Sequence, residues 1–305
     1  MIKISEEEAS FKGQLVRELI ARVTSDHLIG QKFKNGEMRK KIVEPPWRCP
    51  AGFEMEEIHL PLFSMEYLTK TEGRREDRVL LQLHGGGYVG KIHNTYRSFA
   101  VLYAEAGKGM DVLSIDYRVA PENPFPAALE DAITAFDWLR EVKGFTEDEI
   151  YLGGDSAGAL CHYLKDHGRK LPRGIVAMSP WTDMTASGPS YDDNYEKDPL
   201  FGKTRDSLIY STDYRQDHDP KNPYLSPLFG DFTGFPPMLI QVGTYEMLLS
   251  DSQQAAAKAK EQGVHVRLSE YEGMFHVFQM AMMHLPESKR AWQEVEHFFT
   301  VVDSM

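Results

Sequence analysis

From residue 53 onward, short apolar runs alternate with stretches of helical periodicity, and this alternation narrows the folds open to the chain more than any other feature. Segments 53–60 and 63–70 read as strands joined by a tight turn. Val79-Leu80-Leu81-Gln82-Leu83 is a third, ending at His84-Gly85-Gly86-Gly87. Further strands are expected at 111–115, 149–153, 174–178, 237–242 and 264–270, with helices near 95–107, 126–143 and 250–262, after Gly158, and up to the C-terminus. The pattern predicts an α/β chain whose mostly parallel eight-stranded sheet is covered by helices on both faces. A hydrophobic content of 42% over 305 residues is ample for such a core.

Two stretches stand outside the rhythm. In residues 1–52, Ser5-x-x-Glu8 has the form of a capping box, and Phe11, Leu15, Leu19, Ile20 and Val23 recur at helical spacing. The expectation is a helical segment laid on the main body, residues 53–305. Between Pro180 and Pro237 the chain is rich in Pro, Gly, Asp and Tyr, and an interval this long between neighbouring strands is usually functional. About residues 184–225 are read as an insertion that joins the N-terminal segment in a helical cap.

Charge and cysteine content remove several function classes. Lys and Arg number 34 against 46 Asp and Glu, a net charge of −12, which disfavours a nucleic-acid surface. Cys49 and Cys161 are too few for a disulfide framework, and no His, Cys or carboxylate cluster has metal-ligand spacing, so neither metal nor cofactor is expected. No apolar run reaches the roughly 18 residues of a membrane span, and the N-terminus lacks the form of a signal peptide. A cytoplasmic protein without membrane partners is the expectation.

Gly154-Asp155-Ser156-Ala157-Gly158 fits G-x-S-x-G between an expected strand and an expected helix, the setting in which the motif holds a serine hydroxyl above a sheet edge. Upstream, the glycines of His84-Gly85-Gly86-Gly87-Tyr88 free backbone N–H groups to face a substrate oxygen; Gly85 and Gly86 would donate there, with Ala157 as third donor. Gly85-x-Gly87-x-x-Gly90 also satisfies a dinucleotide-binding pattern, with Asp116 as the ribose acid. That reading needs a helix to begin inside the motif, whereas Lys91-Ile92-His93-Asn94-Thr95 reads as loop. A serine nucleophile needs a base and an orienting acid, which follow it in that fold as acid and then histidine. His276 follows strand 264–270 among apolar neighbours. Glu246 is the first carboxylate after strand 237–242 and the preferred acid; Asp251, at a helix start, is the alternative.

These residues resemble the hormone-sensitive-lipase-like esterases, bacterial family IV of the α/β-hydrolase superfamily. The resemblance runs through His84–Tyr88, Asp116-Tyr117-Arg118-Val119-Ala120-Pro121-Glu122, Gly154–Gly158, Ser179-Pro180-Trp181-Thr182-Asp183, Pro236–Asp251 and Glu272–Phe278, over about residues 55–300. It implies Ser156 as nucleophile, His276 as base, the acid at Glu246, an oxyanion hole from Gly85, Gly86 and Ala157, and a cap from the two stretches above. Homodimers are frequent in the family. Two positions depart from its pattern: Ala159 stands where a second glycine is usual, and Glu246 where the acid is usually Asp. The neighbourhood of Glu246 is similar to that of small acetyl esterases and lactone hydrolases.

The expected reaction is hydrolysis of short-chain, acetyl-like esters of small molecules through an acyl-enzyme. Tyr88, Trp181, Tyr195, Phe201, Leu248 and Val277 are candidates for the substrate pocket, being next to catalytic elements or in the insertion. Lactones, amides and formamides remain open as substrates, and so does a non-catalytic receptor of the same fold.

Overall fold

The computed structural model describes residues 8–24, 44–154, 157–281 and 283–305. Its centre is one eight-stranded sheet in the order β1-β2-β4-β3-β5-β6-β7-β8. The strands are β1 (Phe53–His59), β2 (Ser64–Lys70), β3 (Arg75–Leu83), β4 (Met110–Asp116), β5 (Ile150–Gly154), β6 (Gly174–Met178), β7 (Met238–Gly243) and β8 (Val266–Tyr271). β1 and β2 form an antiparallel hairpin, β2 is antiparallel to β4, and every other pairing is parallel.

Successive side chains on a strand point to opposite faces, so a strand covered on both sides is apolar at most positions. Leu81, Leu83, Leu113, Ile115, Leu152 and Ile240 face one layer, built from α3 (Ala127–Glu141), α4 (Ala157–Asp166) and α6 (Leu249–Glu261). Their neighbours Leu80, Val112, Tyr151, Val176 and Leu239 face the other, built from α2 (Asn94–Ala106) and α7 (Pro286–Asp303). Each large aliphatic side chain removed from water contributes about 1.5–3 kcal/mol, so these two layers hold the sheet between them.

The N-terminal helix α1 (Phe11–Thr24) differs from expectation in the face it buries. Phe11, Leu15 and Leu19 are 81%, 56% and 60% exposed, while Ala9, Val16 and Ile20 pack against Tyr271, Met274, Phe275 and Phe278. Polar anchors and one close approach select that face. Glu287 of α7 accepts from the Ser10 N–H (2.6 Å) and hydroxyl (3.1 Å). Arg17 donates to the Gly273 carbonyl (2.7 Å), and Gly13 sits where a Cβ would meet the Met274 side chain at 2.7 Å. The Ser10 hydroxyl also accepts from the Gly13 N–H (3.0 Å), so it caps the first turn; Ser5 of the expected capping box lies outside the described residues.

Between β6 and β7 runs the expected long insertion, which contains the single-turn helix α5 (Ser190–Asp193) and short 3-10 turns at Leu208–Tyr210 and Pro227–Phe229. Among the described residues no helix is long and apolar enough to cross a membrane, and no three His, Cys, Asp or Glu are grouped to hold a metal ion. Cys161 is buried on α4 in the main core, and Cys49 is a free thiol near the surface.

Candidate active site

In a parallel sheet of this kind, ligands collect beyond the carboxyl ends of the strands. Five such ends lie side by side here: Leu83 of β3, Gly154 of β5, Met178 of β6, Gly243 of β7 and Tyr271 of β8. The segments beginning at His84, Gly154, Ser179, Gly243 and Glu272 leave from these ends, and Asp116–Glu122 leaves from the end of β4 beside them.

β5 ends at Gly154 and α4 begins at Ala157; Asp155 and Ser156, between them, lie outside the described residues. The residues on either side explain the motif. Gly154 has φ +128°, and a Cβ there would stand 1.9 Å from the Leu83 carbonyl oxygen of the neighbouring strand. A Cβ at Gly158 would press on the Pro227 ring at 2.9 Å. Ala159, the departure from the family pattern, is buried in the main core.

The glycine loop after β3 is equally constrained. Gly86 (φ +112°) packs its backbone on Gly90, and a Cβ at Gly87 (φ +58°) would meet Leu208 of the insertion at 2.6 Å. His84 is buried, and burial pushes its pKa down to about 3. The neutral ring donates from Nδ1 to the Gly85 carbonyl (2.8 Å) and stacks on Tyr117 at 4.0 Å; the Tyr117 hydroxyl donates to the His84 carbonyl (2.7 Å). The loop is therefore braced from its own first residue. Helix α2 starts at Asn94, beyond rather than within the glycines, which leaves the dinucleotide pattern without its helix.

Glu246 follows β7 and His276 follows β8. Glu246 Oε2 lies 3.0 Å from His276 Nδ1. The carboxylate is fully buried, and its Oε1 accepts from the Gly243 N–H (2.5 Å) and from the Ser179 hydroxyl (2.8 Å). Ser179 Oγ in turn accepts from the Val277 N–H (3.0 Å), so one hydroxyl ties the Glu246 carboxylate to the backbone beside His276. Ser179 was not among the sequence candidates. Its signal was position: it is the first residue beyond β6, next to the strand that carries Glu246.

Asp251, the alternative acid, is placed elsewhere. Its Oδ2 accepts from the Thr182 (2.8 Å) and Asp183 (2.9 Å) N–H groups, and burial pushes its pKa up to about 8. It braces the start of the insertion.

A cavity of about 610 Å³ opens at this edge. Of the sequence-named residues, Gly85, Gly86, Tyr88, Trp181, Phe201, Leu248, His276 and Val277 line it. Glu246 and Ala157 are buried outside its lining. Tyr195 is not brought to the cavity: it packs with Tyr191, Met247 and Leu248, under the Arg205 guanidinium at 4.9 Å. Its spacing in the insertion carried no information about which side of the chain would face inward. The Phe201 ring lies 4.8 Å from the His276 ring, edge to face. Tyr88, Ser179 and Val277 adopt left-handed φ values of 63°, 51° and 48°, a strain of about 1–3 kcal/mol each, held at the three loops that meet here.

A buried carboxylate bonded to an imidazole that faces a cavity, opposite a glycine loop and a helix N-terminus, can orient and charge-balance a general base. Comparison with known proteins places the chain among esterases of this fold. A family model described as alpha/beta hydrolase fold matches residues 80–280. The chain is similar to an acetyl-hydrolase of Streptomyces hygroscopicus, 38% identical over 223 residues covering 72% of this chain and 74% of the relative. It is similar also to an esterase of Acinetobacter venetianus, 33% identical over 231 residues covering 74% and 76%. Among solved structures, an esterase from the bacterial hormone-sensitive lipase family matches with a TM-score of 0.81 at 33% identity, over 95% of this chain and 98% of the other. A hormone-sensitive lipase from a metagenome library matches with a TM-score of 0.80 at 28% identity, over 98% and 99%.

Proposed function

We propose a mechanism and a substrate range for this chain, which belongs to the hormone-sensitive-lipase family of esterases with the α/β-hydrolase fold and is a carboxylic ester hydrolase. The reaction is two-step acyl transfer. His276 takes the Ser156 proton as the hydroxyl attacks the ester carbonyl, and Glu246 stabilises the imidazolium that forms. The Gly85, Gly86 and Ala157 N–H groups hold the oxyanion, and the alcohol leaves with the proton from His276. Water then repeats the steps on the acyl-enzyme and releases the acid. The observation that carries this reading is the 3.0 Å bond between fully buried Glu246 and a His276 that faces the cavity.

The substrate is a small-molecule ester with a short, acetyl-like acyl group. A volume of about 610 Å³ is in the range of small-molecule sites, and the lining aromatics Tyr88, Trp181 and Phe201 favour a compact apolar ester. Residues 1–52 and about 184–225 act as the cap over the domain 53–305: Ala21, Glu44 and the segment 196–204 all line the cavity.

Hydrolysis of p-nitrophenyl acetate, butyrate and octanoate by wild type and by Ser156→Ala tests both parts. We expect the substitution to lower kcat by about five to six orders of magnitude. Wild-type kcat/KM should be highest with the two shorter esters. Near-wild-type turnover by Ser156→Ala would remove the serine from the mechanism, and a preference for octanoate would overturn the short-chain assignment.

A further inference from the structure

Ser190, Asn194 and Asp198 follow one another at four-residue intervals along α5 and the turns that continue it, where Asn194 N–H donates to the Ser190 carbonyl (3.1 Å) and Asp198 N–H to the Asn194 carbonyl (2.8 Å). That spacing places them on one face, and all three are buried. Each is bonded to the backbone that carries Glu246. Ser190 Oγ donates to the Met247 carbonyl (2.6 Å) and accepts from the Ser250 N–H (2.9 Å). Asn194 Nδ2 donates to the carbonyls of Thr244 (2.9 Å) and of Glu246 itself (2.8 Å). Asp198 Oδ2 accepts from the Met247 N–H (2.8 Å).

The other oxygen of Asp198 faces the opposite way. Its Oδ1 accepts from the Leu200 (2.8 Å) and Phe201 (3.0 Å) N–H groups, and it is the Phe201 ring that stands against the His276 imidazole. One carboxylate therefore spans the loop bearing the acid and the turn that covers the base. On its other side the acid loop leans on the end of β8 and the turn after it, through the Tyr245 N–H to the Met274 carbonyl (3.0 Å) and the Thr244 N–H to the Tyr271 carbonyl (3.0 Å).

We propose that this polar face of the insertion, centred on Asp198, is the positioning element for Glu246, so that the segment enclosing the cavity also sets the alignment of the acid with His276. The proposal rests on the reading of Glu246 as the triad acid. Asp198 does not touch the reacting atoms; it acts through the Met247 N–H and through Phe201. A displacement of about 1 Å in a catalytic group is enough to lower turnover by about a hundredfold.

The test is steady-state kinetics with p-nitrophenyl acetate on Asp198→Asn, Asn194→Ala, Glu246→Gln and the double variant Asp198→Asn/Glu246→Gln, each checked for folding by thermal denaturation. Asp198→Asn keeps the size of the side chain but replaces one acceptor oxygen with an amide nitrogen. We expect kcat to fall by about 10- to 100-fold with KM changed by less than about threefold, because alignment rather than binding is lost. The double variant should be no slower than Glu246→Gln, since a residue acting through Glu246 has nothing left to position. If Asp198→Asn fails to fold, Asn194→Ala carries the same expectation. Wild-type kcat in the folded variants, a change confined to KM, or multiplying losses in the double variant would each overturn the proposal. Wild-type turnover by Glu246→Gln would instead overturn the reading of the acid on which it rests.

Discussion

A single hydroxyl, that of Ser179, joins the two loops on which the proposed chemistry depends: it donates to Glu246 and accepts from the Val277 N–H. Ser179→Ala leaves that buried N–H without its acceptor, which should cost about 1–3 kcal/mol in thermal or urea denaturation. Loss of the shared anchor should also lower kcat on p-nitrophenyl acetate by about 10- to 100-fold. A variant unchanged in both would mean that the Gly243 N–H suffices to hold the carboxylate. At this scale the sequence singled out residues that follow a strand end within a recognisable motif or as its first carboxylate or imidazole, as His84, Glu246 and His276 do. It did not single out Ser179, although that residue follows β6 directly, nor Asp198. A serine before proline and an aspartate in a Pro- and Gly-rich interval have the look of ordinary turn chemistry, and only folding shows which backbone each one meets.

Most elements were legible from the pattern of what they bury. The two-sided strands of the sheet announce themselves as apolar runs, and the helices between them as one-sided periodicity. Helix α1 was legible as a helix but not in the face it buries, because its most hydrophobic stripe is not the one it docks; Gly13, Ser10 and Arg17 decide its face, and none of them weighs in a hydrophobic pattern. The end of α7 is set in a comparable way. Asp303 accepts from Arg75 Nη1 (2.6 Å), Arg78 Nε (2.9 Å) and the Tyr151 hydroxyl (2.9 Å), while Arg173 donates to the last carbonyls of the helix. Burial by itself would raise the Asp303 pKa, but these donors outweigh it and hold the carboxyl down at about 2. Asp303→Asn should therefore destabilise the fold by about 3 kcal/mol, measured by urea denaturation near neutral pH. An unmoved midpoint would show that Trp292 and Phe299 hold α7 without help from its end.

For the molecule as a whole, two buried imidazoles among the described residues set a lower limit of pH. Burial pushes His162, which donates from Nε2 to the Pro227 carbonyl (3.1 Å), down to about 4, as it pushes His84 to about 3. Both values lie below the ordinary 6.5, so the unfolded chain binds protons that the folded one refuses. The stability tied to His162 is complete above about pH 6.5 and is lost as the pH falls towards 4, by a total on the order of 3 kcal/mol. Denaturation midpoints followed from pH 7 to 4 should fall steadily for wild type and less for His162→Gln; parallel curves would show that His162 does not contribute. The insertion leaves a different mark on the whole. Its residues Trp181, Phe201 and Leu208 wall the cavity, while Ser190, Asn194 and Asp198 grip the chain around Glu246. On the proposed reading, taste for a substrate and the geometry of the acid therefore travel as one heirloom. A graft that borrows a relative's insertion to change the preferred ester brings along a new grip on Glu246, and chimeras with a mismatched face at these three positions would bind well and turn over slowly.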